Sequence, residues 1–186
     1  MKVDVLLEAG HDIALRGMAY SFKDRAEDPN QWWETKRERA EKRAVLLAPM
    51  DGGHNKFIRQ IQLWIDVEAP RCFWAEFDTY KVGTVAQSES TMHTLAKRPP
   101  TYGDFEEGTT QATMDCFIAQ WSDLKSDIVR LKENMPEGYL QRRIVTMNYD
   151  NVRNIVSQRS NHRYKRWAAF IDQLISQLEH PDYLKG

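Results

Sequence analysis

Cysteines, glycine-rich loops and long apolar runs are scarce or missing in this chain, and each absence excludes something. Cys72 and Cys116 are the only thiols in 186 residues. Two cysteines without a framework spacing leave no disulfide scaffold and suit a reducing compartment. No stretch of about 18 apolar residues occurs, so no membrane span is expected. The opening MKVDVLLEAG carries Asp4 and Glu8 within its apolar part. It is too short and too charged for a signal peptide, and a cytoplasmic protein is expected. There is no Walker loop, no G-x-G-x-x-G, no H-E-x-x-H and no G-x-S-x-G. The five histidines show no ligand spacing, so no metal is expected. Charge of one sign is also missing: 26 Lys and Arg against 27 Asp and Glu leave a net −1. Nothing global therefore points to nucleic acid.

What is present is enough for one ordinary domain, residues 1–186, with a real core. KVDVLL reads as a first strand and HDIALRGMAYSF as a helix. WWETKRERAEKRAVLLA is built from strong helix formers, with Glu38 and Lys42 spaced as an i,i+4 pair. QIQLWIDV alternates cleanly, placing Ile61, Leu63, Ile65 and Val67 on one strand face. Pro70 ends that strand and suits the first turn of a helix, PRCFWAEFDTY. Phe73, Phe77 and Tyr80 form its aromatic face. GTVAQSES is short and polar, and AKRPPTYGDFEEGTT is a loop. One long amphipathic helix is expected over 110–134, followed by a short helix at GYLQRRI and a second strand at IVTMNYD. Asp150 or Asn151 would cap the next helix, NVRNIVSQRS, and RYKRWAAFIDQLISQL would be the last. The fold class is α+β: a small, mostly antiparallel sheet wrapped by several helices.

Charge is concentrated in one segment. Between Gln141 and Trp167 lie Arg142, Arg143, Arg153, Arg159, Arg163, Lys165 and Arg166, with Asp150 as the only acid, so seven minus one gives +6. Arg153 and Arg159 do not share a helix face. Arginines and amides at a helix start are natural ligands for phosphate or carboxylate. The same residues also serve to cap carbonyls and to pair with acids, and residue types alone leave both readings open.

Two stretches carry a resemblance to a known family. GGHNKFIRQIQLWIDVEAPRCFWAEFDTYKVGT (52–84) and LQRRIVTMNYDNVRNIVSQRSNHRYKRWAAFIDQLI (140–175) resemble the flavin-dependent thymidylate synthases. Val67-Glu68-Ala69-Pro70 matches the family's Val-x-Ala-Pro corner. Thr79-Tyr80-Lys81 stands where the family has Arg-His-Arg, and Glu76 where it has Gln. Asn151, Arg153, Arg159, His162 and Trp167 match its Asn-x-Arg, second Arg, His and Trp. The resemblance implies Thr79, Tyr80, Asn151, Arg153 and His162 toward an FAD cofactor. It implies Glu76, Lys81, Ser88, Ser90 and Arg159 toward a pyrimidine nucleotide such as dUMP. It also implies a homo-oligomer, a tetramer in the family, with the site between subunits and no covalent enzyme nucleophile. It implies an enzyme that methylates or otherwise modifies dUMP or a related nucleotide with reduced flavin; because Arg-His-Arg is replaced, a protein that binds or sequesters nucleotide without turnover is the alternative.

Overall fold

The structure, a computed structural model, describes residues 1–50 and 52–185. Four strands form one sheet: β1 (Lys2–Ala9), β2 (Gln62–Pro70), β3 (Val85–Ser88) and β4 (Leu140–Asn148). Their order is β1-β2-β4-β3, and every neighbouring pair is antiparallel. The helices are α1 (His11–Ala19), α2 (Pro29–Leu47), α3 (Arg71–Phe77), α4 (Thr91–Lys97), α5 (Gln111–Leu124), α6 (Ile128–Glu133), α7 (Tyr149–Arg159) and α8 (Arg166–Ile175). The α+β class with a small antiparallel sheet is as expected. No helix among the described residues is long and apolar enough to cross a membrane.

The alternation in β2 fixes which way the sheet faces. Leu63, Ile65, Val67 and Ala69 are fully buried, with Val145 and Met147 beside them on β4. This face packs against α3, α7 and α8. A bulge between Val5 and Leu7 shifts the β1 register, and Leu6 and Leu7 stay exposed. The turn from β1 into α1 needs glycine. Gly10 has φ +93°, and a Cβ there would lie 2.7 Å from the Gln60 carbonyl oxygen. A second apolar cluster, Leu95, Phe105, Phe117, Leu131, Met135 and Tyr139, is built by α4, α5, α6, the segment between α4 and α5, and the turn from α6 to β4.

Three local expectations are corrected, and one segment without an assignment gains a strand. GYLQRRI is strand rather than helix: β4 begins at Leu140 and pairs with β2 from Pro70↔Leu140 to Gln62↔Asn148. Pairing with the central strand overrides the helix propensity of Leu, Gln and Arg. The single helix over 110–134 is two, because Asp127 caps α6 through a bond from the Arg130 N–H at 3.2 Å. The polar GTVAQSES contains the edge strand β3, bonded to β4. Helix α7 is capped by Asn148, not by Asp150 or Asn151. Asn148 accepts from the Asn151 N–H at 3.0 Å, and the Asn151 side chain accepts from the Asn148 N–H at 3.2 Å.

Candidate functional site

Helix α3 starts where β2 ends. Its first two N–H groups would be orphans, and the turn before β4 satisfies them: Arg71 N–H donates to the Tyr139 carbonyl and Cys72 N–H to the Glu137 carbonyl, both at 3.1 Å. With its start fixed, the helix sends Phe73 and Phe77 against Trp167 and Phe170 of α8, with ring centroids 4.7–6.2 Å apart. Tyr80, just past the helix end, continues this face against Phe77 and Trp167.

One cation enters the aromatic corner. The Arg159 guanidinium, at the end of α7, lies 4.9 Å from the Trp167 ring centre and 5.5 Å from that of Tyr80. Arg159 Nε donates to the Tyr80 hydroxyl at 2.8 Å, and that hydroxyl donates to Gln158 Oε1 at 3.0 Å. Glu76 Oε2 accepts from Trp167 Nε1 at 2.7 Å and from Arg159 Nη1 at 3.3 Å. His162 Nε2 lies 2.9 Å from Arg159 Nη1. Nε2 there faces a donor, since a guanidinium only donates, and His162 Nδ1 also faces one, the Tyr164 N–H at 3.2 Å. Nδ1 is 3.9 Å from Glu76 Oε2. Among the described residues, Arg159 Nη2 has no protein partner. The centre is an aromatic-walled corner that holds one guanidinium paired with one carboxylate.

Five of the residues singled out from the sequence meet here: Glu76, Tyr80, Arg159, His162 and Trp167. Lys81 lies at the rim of an adjoining cleft of about 260 Å³, lined also by Phe77, Asp78, Tyr80, Thr84 and Ala86. Thr79 is beside it, its hydroxyl donating to the Glu76 carbonyl at 2.8 Å. Asn151 reaches the neighbouring turn, donating to the Val82 carbonyl at 2.8 Å. Arg153 points elsewhere. Its Nη1 donates to the Ala48 carbonyl at 2.6 Å, at the end of α2, and its Nη2 pairs with Asp150 at 2.8 Å. Ser88, at the end of β3, is paired in register with Arg143. Ser90 precedes α4, its carbonyl accepting from His93 and Thr94. Neither serine lines the cleft. Sequence reasoning misses two contributors. Asn148 is legible as an i,i+3 Asn pair with Asn151. Gln158 carries no signal, being one more polar residue on a helix.

No protein-family model matches the sequence, and no curated protein sequence matches it. Solved structures do match. Thymidylate Synthase X (ThyX) from Helicobacter pylori with FAD and dUMP is 13% identical, with a TM-score of 0.74 over all of both chains. A second structure of the flavin-dependent thymidylate synthase ThyX from the same organism, also complexed with FAD and dUMP, is 13% identical. Its TM-score is 0.75, over all of this chain and 98% of that one. The fold of this chain is the ThyX fold.

Proposed function

We propose that this protein binds a pyrimidine nucleotide at the corner formed by Glu76, Tyr80, Arg159 and Trp167, with Arg159 as the anchor for the nucleotide's phosphate. The observation that carries the reading is the setting of Arg159. Its guanidinium is held between two aromatic rings by the Tyr80 hydroxyl and the Glu76 carboxylate, with Nη2 still open. A preorganised, weakly hydrated cation of this kind suits a phosphate. Lys81 adds a second positive charge at the rim. The cleft beside Tyr80 receives the base, whose flat face stacks on the exposed side of the ring. Ligands of the structural neighbours agree with this choice: both hold dUMP.

Glu76 sets the chemistry of binding. Its carboxylate occupies part of the corner in the free protein, so phosphate and carboxylate share the Arg159 donors.

The residues expected to face FAD fit it poorly. Thr79, Asn151 and Arg153 already donate to the Glu76, Val82 and Ala48 carbonyls, and Arg153 also pairs with Asp150. A flavin's phosphates would draw on side chains already engaged within the chain. This favours the second reading, a protein that holds a nucleotide without turning it over. Both readings place the nucleotide on Arg159. They separate on colour and product: the second predicts a colourless protein that makes no dTMP from dUMP with methylene-tetrahydrofolate, NADPH and FAD. Mass spectrometry of small molecules released from the purified protein tests the shared claim. A pyrimidine nucleotide is the expected species, and a protein that neither carries nor binds one contradicts it.

A further inference from the structure

The sheet has two edges, and they differ. β3 forms one with only four residues, and a strand that short offers little to another chain. β1 forms the other with eight, KVDVLLEA, rich in β-formers and without proline. In an antiparallel edge strand, every second residue turns its N–H and C=O away from the sheet. In β1 these residues include Val3 and Val5, and their outward groups meet side chains. Val3 N–H donates to Gln173 Oε1 at 3.1 Å, and Val5 N–H donates to Gln177 Oε1 at 3.0 Å. Gln177 Nε2 donates to the Val3 carbonyl at 2.8 Å. Gln173 sits in α8 and Gln177 in the turn just past it.

The Gln177 amide spans the Val3 carbonyl and the Val5 N–H as one residue of an added strand would. Its nitrogen also donates to the Gln173 carbonyl at 2.8 Å, which fixes the end of the amide that faces Val3. Two long polar side chains that could lie in water are ordered onto a backbone edge instead. We propose that Gln173 and Gln177 close the β1 edge against pairing with a second copy of this chain. A second copy is the occupant that fits. Antiparallel pairing about a two-fold axis at Val3 joins the same outward groups on both strands and sets Lys2 opposite Asp4 of the second copy, twice over. Both side chains are exposed and form an ion pair within the chain at 3.0 Å. Leu6 and Leu7, exposed on the same strand, add apolar surface to such a pairing. The contact is thus autoinhibitory, and it is independent of the nucleotide site at Arg159.

The test is the double variant Gln173→Ala/Gln177→Ala, followed by sedimentation and by amide hydrogen exchange over a range of protein concentrations. In wild type the Val3 and Val5 amides should exchange slowly throughout. In the dilute double variant they should exchange several-fold faster, as expected for the loss of one hydrogen bond each. On concentration they should regain protection, as a species larger than that of wild type forms. Adding Asp4→Lys sets Lys opposite Lys in the two-fold register and should return the size to that of wild type. Gln177→Met keeps the length of the side chain without its amide, and should move both readouts the same way. Slow exchange in the central strand β2 verifies that each variant is folded; where the double variant fails this check, Gln177→Met decides by the same readouts. Fast exchange of Val3 and Val5 in wild type overturns the proposal, as does wild-type size in the folded variants at every concentration. A larger species indifferent to Asp4→Lys overturns the pairing with a second copy at this edge.

Discussion

At the scale of single residues, Tyr80 serves two roles at once. A residue three and seven positions on from two phenylalanines reads equally as a core ring or as a site wall. The structure makes it both: the ring packs on Phe77 and Trp167 while the hydroxyl holds Arg159 and Gln158. Tyr80→Phe keeps the packing and removes two hydrogen bonds. A stability loss of about 1 kcal/mol is expected, together with several-fold weaker nucleotide binding. Urea unfolding and calorimetry on the same preparation check both. His11 supports a different prediction. Burial, and then the neighbouring His180, lower its pKa to about 4. The two rings stack with centroids 3.6 Å apart, His11 Nε2 meets the Tyr183 hydroxyl at 2.9 Å, and Asp12 and Glu179 face it in partial opposition. The folded state thus favours neutral His11. Its contribution is complete above the ordinary histidine value of about 6.5, and is lost as pH falls from there toward 4. Melting temperatures of wild type and His11→Gln, followed from pH 7.5 to 4.5, should converge as the pH drops. Parallel curves would contradict the assignment.

At the scale of elements, legibility follows locality. The alternation of β2, the Pro70 corner and the aromatic face of α3 are readable because each depends on residues close in sequence. The start of β4 is not, because its strand character comes from pairing with β2 some 70 residues away in register. The cap of α7 lies two or three residues before the expected one, although both asparagines of the box are visible in the sequence. Their consequence reaches the site. Asn151 donates to the Val82 carbonyl, and Gly83 beside it has φ +78°, where a Cβ would lie only 2.8 Å from Asn151 Oδ1. The cap of α7 thereby fixes the turn that follows Tyr80 and Lys81. Asn148→Ala should cost about 1 kcal/mol in urea unfolding. Gly83→Ala should also destabilise, through its positive φ and its contact with Asn151. A Gly83→Ala protein as stable as wild type would show that this turn is not held as described.

At the scale of the whole molecule, the +6 segment is not a free basic patch. Arg142 pairs with Asp66 and Glu68, Arg143 with Asp78, Arg153 with Asp150, Arg159 with Glu76 and Arg166 with Glu106. Most of the acids come from segments far away in sequence, which is why a count along the chain overstates the charge. Only where an aromatic corner gathers around one of these pairs does the segment become a candidate site. The homo-oligomer implied by the family resemblance is a further expectation, supported by Leu6, Leu7 and Val85 left exposed on the sheet. Sedimentation at micromolar concentration should give a species larger than the monomer. The central claim, that Arg159 anchors a nucleotide phosphate, is tested most directly by titrating dUMP and deoxyuridine into wild type and Arg159→Ala. Wild type should prefer dUMP. Arg159→Ala should lose about 1.5–3 kcal/mol of dUMP affinity, roughly ten- to a hundredfold, with little change for the nucleoside. Equal dUMP affinity in the two proteins, both folded, would contradict the claim.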